Sequence, residues 1–300
     1  MLSVQKKDMQ SEIFREAEMS LYEENRQMMK KYGIIPKKKY GQNFLTDETI
    51  LENIVANAEI EPNDFVIEIG PGLGNLTKRL CEKAGYVAVI EIDKQMVEIL
   101  KKEYSYIHNL EIIEADILKI DLKELVAKAE GKKVKVVANL PYYITTPILM
   151  KLLEEEPGIS LIEIMVQKEV ADRICAKPTG REFGAITVAV NYYAEPRYME
   201  TVPSNAFLPP PAVDSAVIRL DILEKPRVQV DKKLFFEIVK ASFAMKRKTL
   251  LNSLGSAGIH GINKEKLAKI LDDLEIDLNC RAERLSLENF AAITNAYERA

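Results

Sequence analysis

The sequence has no tryptophan, two histidines and three cysteines among its 300 residues. Cys81, Cys175 and Cys280 are far apart and form no Cys-x-x-Cys pair, which argues against a disulfide framework and against a Cys/His metal site. No apolar run approaches the ~20 residues of a membrane span. The first segment, MLSVQKKDMQ, also lacks the apolar core of a secretory signal. We therefore expect a cytoplasmic protein with no membrane segment and no metal.

Acidic residues are missing from two stretches, although the net charge of the whole chain is −4. Residues 25–46 and residues 238–264 contain no aspartate or glutamate. Such segregation is typical of a basic surface that binds a phosphate backbone, while a solvated face without a partner is the alternative for either stretch. The basic residues are Arg26, Lys30, Lys31, Lys37, Lys38 and Lys39 in the first stretch, and Lys240, Lys246, Arg247, Lys248 and Lys264 in the second.

Short apolar runs alternate with stretches that can form helices between residues 64 and 167. The runs are DFVIEIG (64–70), YVAVIEID (86–93), LEIIEAD (110–116), VKVVANL (134–140) and LIEIMVQ (161–167). Because parallel strands need a crossover between them, the alternation predicts an α/β fold with a doubly wound parallel sheet. Further strands are predicted at 184–194 and 215–222, the second of them antiparallel.

Helical patterns flank the predicted sheet on both sides. Residues 8–31 have amphipathic periodicity, and further helices are predicted at about 231–254, 263–272 and 286–299. The segment EKPRVQV (224–230) reads as a linker. We therefore predict three parts: an N-terminal helical extension (1–32), a domain built around the sheet (33–223) and a helical C-terminal domain (224–300).

The ends of the first three predicted strands carry residues that suit a nucleoside cofactor, because doubly wound sheets bind ligands at the carboxyl ends of their strands. Gly70, Gly72 and Gly74 form a G-x-G-x-G turn before a helix, where the backbone can approach a ligand and unpaired amides face it. Glu91 ends the second strand and can accept both hydroxyls of a ribose. Asp116 ends the third strand and can accept an adenine amino group.

The glycine spacing distinguishes between two adenosine cofactors. A nicotinamide dinucleotide favours G-x-G-x-x-G, but Asn75 stands where the third glycine belongs. A G-x-G-x-G turn preceded by an acidic residue, here Glu68, is instead typical of S-adenosylmethionine enzymes. We therefore predict S-adenosylmethionine as cofactor and S-adenosylhomocysteine as product. Simple capping of the following turns is the alternative for Glu68 and Asp116.

The fourth predicted strand ends in Asn139-Leu140-Pro141-Tyr142, a stiff turn that a core strand does not need. An adenine amine is a poor nucleophile because its lone pair is delocalised into the ring. If the Asn139 side-chain oxygen and the Leu140 carbonyl accept its two N–H groups, the nitrogen turns towards tetrahedral geometry and its lone pair points at the cofactor methyl. Tyr142 would stack on the unstacked base. A strand-end turn with a core tyrosine is the alternative.

The chain closely resembles the small-subunit ribosomal RNA adenine dimethyltransferases, the KsgA/RsmA family, over residues 33–298. The motifs that carry the resemblance are KKKYGQNFL, EIGPGLGNLT, VIEID, EADIL, NLPYYITTP, MVQKEVADRI, NAFLPPPAVDSAVIRL and KRKTLLNSL, in the family's order. The resemblance implies a class I methyltransferase catalytic domain (33–223) with a small helical C-terminal RNA-binding domain (224–300). It also implies four methyl transfers, which give two adjacent N6,N6-dimethyladenosines near the 3′ end of 16S rRNA during small-subunit assembly.

The resemblance also assigns roles to single residues. Phe207 would form a second aromatic wall opposite Tyr142, with a core phenylalanine as the alternative. The enzyme would act as a monomer on the assembling small subunit, and the resemblance is silent on residues 1–32. The implied cofactor contacts are Asn43, Leu45, Gly70, Gly72, Glu91, Asp116 and Asn139, and the basic residues expected at rRNA phosphates are Lys37, Lys38, Lys39, Lys246, Arg247 and Lys248.

Two other functions share some of these features. The antibiotic-resistance methyltransferases of large-subunit rRNA have the same turn after the fourth strand, but the long PPPAVDS segment fits the small-subunit group better. The other function is a binding protein whose methyl transfer is vestigial. The presence of Gly70, Glu91, Asp116 and Asn139 argues against that second function.

Overall fold

The computed structural model describes residues 19–155, 158–178, 180–245 and 247–299, apart from the side chain of Lys38. Most of the first half of the helix predicted over 8–31 therefore lies outside the described residues. The nine strands of the described part are β1 (Phe44–Leu45), β2 (Phe65–Ile69), β3 (Tyr86–Glu91), β4 (Leu110–Glu114), β5 (Val134–Asn139), β6 (Ile159–Gln167), β7 (Ala194–Val202), β8 (Phe207–Leu208) and β9 (Ser215–Ile222).

Seven of these strands form one sheet in the order β4-β3-β2-β5-β6-β9-β7. The first five strands in that order are parallel, and β9 pairs antiparallel with both β6 and β7. The five parallel strands and the antiparallel strand at 215–222 confirm the predicted fold. The order reverses between β2 and β5, which is where a doubly wound sheet opens a crevice for a ligand.

The crevice opens because β2 and β5 separate before either strand ends. Their pairing stops at Ile67 and Val136, whereas β5 stays paired with β6 as far as Asn139 and Met165. The last residues of β5 are thus held from one side only. Asn139 is in this way carried to the edge of the crevice.

The helices of the described part surround the sheet and extend beyond it. They are α1 (Leu21–Tyr32), α2 (Glu48–Asn57), α3 (Asn75–Lys83), α4 (Lys94–Glu103), α5 (Leu122–Ala127), α6 (Thr145–Glu154), α7 (Lys168–Ile174), α8 (Ala185–Tyr193), α9 (Lys232–Phe243), α10 (Leu250–Gly255), α11 (Lys264–Asp273) and α12 (Leu287–Arg299). None of the helices within the described ranges combines the length and the apolar character that a bilayer crossing requires.

The predicted strand at 184–194 is wrong, because this segment forms α8 and the seventh strand begins only at Ala194. Its β-branched and aromatic residues favour a strand, but α8 is apolar nearly all round, and periodicity does not distinguish a buried helix from a buried strand. α8 is buried between the sheet, the neighbouring helices and the C-terminal helices. The Tyr192 ring lies 5.2 Å from the Phe235 ring of α9.

The C-terminal part is helical, as predicted, but the helix expected over 231–254 is divided into α9 and α10. Thr249 ends the interruption, since its side chain accepts the Asn252 N–H and caps α10. The C-terminal helices share one hydrophobic core with one face of the sheet, to which Phe235 and Phe290 both belong. The domain boundary at 223/224 stays a prediction.

A carboxyl group is buried inside the sheet at Glu163 of β6, which is 0% exposed and lies opposite Arg219 of β9. Burial raises the pKa of Glu163 to about 8, against the lowering influence of Asn57 and Arg219. The folded protein therefore holds this proton more tightly than the unfolded chain, whose glutamate pKa is near 4.5. The resulting stabilisation is fully present below pH 4.5 and is lost as the pH rises to about 8.

We expect Glu163→Gln to remove this pH dependence. The quantity to compare is the melting temperature of the variant minus that of the unaltered protein. This difference should be more positive at pH 8 than at pH 5, by more than about 4 °C. Thermal unfolding at both pH values measures the difference, with Glu237→Gln on the exposed face of α9 as the control. An equal difference at both pH values would contradict the buried, protonated state of Glu163.

Candidate active site

The carboxyl ends of β2, β3 and β5 open into one pocket with about 1100 Å³ of empty space, including its open mouth. The pocket brings together nearly all of the residues that the sequence predicts for cofactor and base. Its walls include Asn43, Leu45, Gly70, Gly72, Glu91, Asp116, Asn139, Leu140 and Tyr142.

The glycines of the turn after β2 serve two purposes. Gly72 has a φ of 56°, and a side chain there would approach the Phe44 ring of β1 to 3.1 Å. The backbone of the turn therefore lies directly against β1. Gly74 has a φ of 85°, and a side chain there would come within 2.3 Å of the Tyr104 ring. The third glycine of the motif is thus required by packing beneath the turn.

Glu68, the acidic residue before the turn, is 2% exposed and lines the pocket. Its carboxyl accepts a hydrogen bond of 2.6 Å from the Thr77 hydroxyl. Burial raises the pKa of Glu68 to about 8, with Thr77 opposing the shift and the charge of Glu91 adding to it. The group is therefore mostly protonated at neutral pH.

Glu91 ends β3 as a buried acceptor, 6% exposed. Burial raises its pKa, while backbone hydrogen bonds from Asp93, Gly72 and Ile92 oppose the rise. The bond from the Asp93 N–H is 2.8 Å long. A carboxyl group held by backbone amides has a fixed orientation, which suits the two neighbouring hydroxyls of a ribose.

Asp116 follows β4 at the pocket wall and also caps the next turn. One of its oxygens accepts the Leu118 N–H at 3.0 Å, and the other lies 3.6 Å from the Lys119 amine. The capping role that the sequence left open is therefore real. It leaves the second oxygen only a weak ion pair with an exposed lysine, so that oxygen stays available to an amino group in the pocket.

Asn139 is oriented by a backbone group of the GQNFL segment. Its side-chain amide donates to the Asn43 carbonyl at 3.4 Å. Because a carbonyl can only accept, this bond fixes which arm of the amide is NH₂ and leaves the side-chain oxygen as an acceptor. Leu140 is held in turn by its N–H, which donates to the Met165 carbonyl of β6 at 3.1 Å.

Tyr142 is anchored at its hydroxyl, which is hydrogen bonded to the Ser215 hydroxyl at the start of β9. Ser215 is fully buried, and the ring of Tyr142 lines the pocket. Burial raises the pKa of Tyr142, and the bond to Ser215 opposes the rise. Sequence reasoning missed Ser215, for which the only signal is a polar residue at the head of an apolar strand.

Phe207 does not line the pocket. It is 3% exposed in β8, where it pairs with Leu45 of β1, and it belongs to the hydrophobic core on that side of the sheet. The role of Phe207 as a second aromatic wall opposite Tyr142 stays a prediction. Two tyrosines that the sequence analysis did not select, Tyr40 and Tyr143, line the pocket instead, and Tyr143 is 54% exposed.

The basic residues of the N-terminal stretch are partly engaged within the chain. The Lys37 amine lies 2.8 and 2.9 Å from the two carboxylate oxygens of Asp93, which a phosphate contact would have to displace. Lys31 pairs with Glu103 at 2.7 Å. Lys39 is exposed, with its amine 4.4 Å from the centre of the Tyr40 ring.

The expected rRNA contacts stay predictions. The ion pair with Asp93 makes Lys37 a weaker candidate for a phosphate contact than the exposed basic residues. Arg247 and Lys248 are exposed, while Lys246 and the side chain of Lys38 lie outside the described residues. Within the described ranges no group of three or more His, Cys, Asp or Glu side chains is arranged to hold a metal ion. That the protein uses no metal likewise stays a prediction.

Comparison with known proteins identifies the family. The model of the ribosomal RNA adenine dimethylase family matches residues 35–298. The chain belongs to the ribosomal RNA adenine dimethylase family. It is 47% identical over 271 residues to the ribosomal RNA small subunit methyltransferase A of Clostridium acetobutylicum, which covers 90% of this chain and 96% of that protein. It is also 47% identical over 274 residues to the protein of the same name from Bacillus mycoides, covering 90% and 94%.

Two solved structures resemble this member of the ribosomal RNA adenine dimethylase family. A dimethyladenosine transferase from Plasmodium falciparum has a TM-score of 0.73 and 27% identity, covering 85% of this chain and 98% of that chain. The 23S rRNA methyltransferase ErmE has a TM-score of 0.66 and 25% identity, covering 85% and 100%. The predicted class I methyltransferase fold with a helical C-terminal part is confirmed.

We expect Ser215→Ala to slow methyl transfer to RNA by about tenfold, because the Tyr142 ring loses the bond that orients it. The affinity for the cofactor should not change. Tyr142→Phe removes the other half of the same bond and should have a similar effect. Single-turnover rates of both variants and of the double variant measure this, and a double variant slowed by the product of the two single effects would contradict a shared role.

Proposed function

We propose that this protein is an S-adenosylmethionine-dependent rRNA adenine dimethyltransferase. It dimethylates N6 of two adjacent adenosines near the 3′ end of 16S rRNA in the assembling small ribosomal subunit. The observation that carries the proposal is the oriented Asn139 amide at the edge of a pocket that also holds Glu91 and Asp116. A cytoplasmic, monomeric enzyme remains our expectation.

The residues of the pocket fit S-adenosylmethionine. This cofactor supplies an electrophilic methyl group on a sulfonium. Glu91 would accept the ribose hydroxyls, Asp116 would accept the adenine amino group, and the backbone of Gly70 and Gly72 would lie against the cofactor without side chains in the way. The close contact between Gly72 and the Phe44 ring fixes the position of this wall of the pocket.

The target adenine would be held by the turn after β5. The Asn139 side-chain oxygen and the Leu140 carbonyl accept the two N–H groups of its amine, which takes the lone pair out of conjugation with the ring. Tyr142 stacks on the base, with its hydroxyl fixed by Ser215. No side chain has to act as a general base, because the methylated nitrogen is acidic enough to lose its proton to water.

The identity of the relatives favours the small subunit over the large one. The relatives that are 47% identical are named small-subunit methyltransferases, whereas ErmE, named for 23S rRNA, is 25% identical. The exposed Arg247 and Lys248 of the acid-free second stretch would contact rRNA phosphates.

The proposal is tested with labelled S-adenosylmethionine and small subunits that lack the two dimethyladenosines. We expect label in the small subunit only, recovered as N6,N6-dimethyladenosine, with free large-subunit RNA as the control. Label only in the large-subunit RNA would support the resistance function. Cofactor binding without label in either RNA would support a binding protein.

We expect Asn139→Ala to keep its affinity for S-adenosylhomocysteine within about threefold, because the cofactor keeps the groups at Glu91 and Asp116. Methyl transfer should fall by about 100-fold or more, because the reacting amine loses its acceptor. Titration calorimetry and single-turnover rates separate the two effects. Asn191→Ala in α8, outside the pocket, is a matched control. Undiminished turnover of Asn139→Ala would contradict the proposed role of the turn.

A further inference from the structure

The helix α1 lies upstream of every recognised motif and buries an asparagine against the pocket wall. It begins after Ser20, which forms a capping box with Glu23. Much of its surface is exposed, but Leu21 is 3% and Asn25 is 1% exposed. A fully buried amide is stable only where its polar atoms have partners.

Both arms of the Asn25 amide have partners that line the pocket. Its NH₂ group donates to the Leu45 carbonyl of β1 at 2.8 Å. Its oxygen accepts from the Asn75 side chain at 2.6 Å. Asn75 is the first residue of α3, directly after the glycine turn. Asn25 therefore joins the two chain segments that form one wall of the pocket.

This wall of the pocket is closely packed, so β1 cannot shift without moving its neighbours. The Gly72 backbone lies so close to Phe44 that even a methyl group at Gly72 would come within 3.1 Å of the ring. Phe44 also precedes Leu45, whose carbonyl Asn25 holds. A displacement of β1 away from α1 would thus change the shape of the wall next to the glycine turn.

The segment that follows α1 is fixed beside another residue of the pocket, Glu91. Lys37 and Gln42 both hydrogen bond to the Asp93 carboxylate, and the Asp93 N–H donates to Glu91. Burial by itself would raise the pKa of Asp93, but these bonds and one from the Gln95 backbone bring it below its usual value. The N-terminal segment is therefore tied to the pocket at two independent points.

We propose that Asn25 is a positioning residue of the cofactor pocket and that α1 acts as a brace, holding β1 against the glycine turn in the spacing that binds the cofactor. The inference rests on the proposed function, because the ligand is S-adenosylmethionine. It gives the N-terminal extension a role in cofactor binding, which the motifs themselves do not indicate.

Titration calorimetry with S-adenosylhomocysteine on the full chain tests the brace. Asn25→Leu keeps the approximate volume of the side chain and removes both hydrogen bonds. We expect its dissociation constant to rise about tenfold, equivalent to about 1.4 kcal/mol. Gln27→Leu, on the exposed side of the same helix, is the matched control and should bind as the unaltered protein does.

A second variant tests the bond to Leu45. Asn25→Asp keeps an oxygen for Asn75 but places a buried carboxylate oxygen against the Leu45 carbonyl, so we expect a loss of affinity at least as large as for Asn25→Leu. In kinetics, KM for S-adenosylmethionine should rise while kcat stays within about twofold, whereas a merely structural role would lower the melting temperature and leave KM unchanged.

The outcomes separate the inference from the proposed function. If the unaltered protein does not bind S-adenosylhomocysteine, the proposed function itself fails. If the unaltered protein binds it and Asn25→Leu, folded at the assay temperature, binds equally well, the brace is refuted and the proposed function stands. Equal losses in Asn25→Leu and Gln27→Leu would also refute the specific role of Asn25.

Discussion

The pairing of β5 is the constraint on which the site depends. β5 is bound to β2 only as far as Val136, but to β6 as far as Asn139. This difference opens the crevice between β2 and β5 and at the same time holds the reacting end of β5 rigid from the other side. The stiff turn that follows is then fixed by the bond from the Leu140 N–H to the Met165 carbonyl. The proposed reaction depends on aligning the adenine amine with the cofactor methyl, and no general base would compensate for a misplaced amine. It therefore needs this rigidity.

The functional side chains at the ends of the strands are oriented by hydrogen bonds from neighbouring segments. The Asn43 carbonyl orients the Asn139 amide, and the Ser215 hydroxyl anchors Tyr142. Backbone amides hold Glu91, and Asn25 ties β1 to the start of α3. These contacts come from distant parts of the chain, so the pocket is a property of the whole fold. Functional groups must be held by such supporting contacts to within a fraction of an ångström.

Much of the fold and most of the candidate pocket could be predicted from the sequence, because strand alternation and strand-end residues are local signals. The prediction failed where tertiary packing decides. The α8 segment has the composition of a strand, yet it forms a buried helix that packs against Phe235 of α9. Phe207 pairs with Leu45 and lies in the core, and its expected role opposite Tyr142 stays a prediction. The sequence does not show that Lys37 has an ion-pair partner, because Asp93 is brought beside it only by the fold.

The most direct test of the central claim is a crystal structure of the protein with S-adenosylhomocysteine. The ribose hydroxyls should lie on the Glu91 carboxylate, the adenine amine on Asp116, and the sulfur should face the Asn139 side chain. S-adenosylmethionine bound in the same orientation would place its transferable methyl group beside the target adenine amine that the turn after β5 holds. A cofactor bound with its sulfur turned away from Asn139, or bound outside this pocket, would contradict the account.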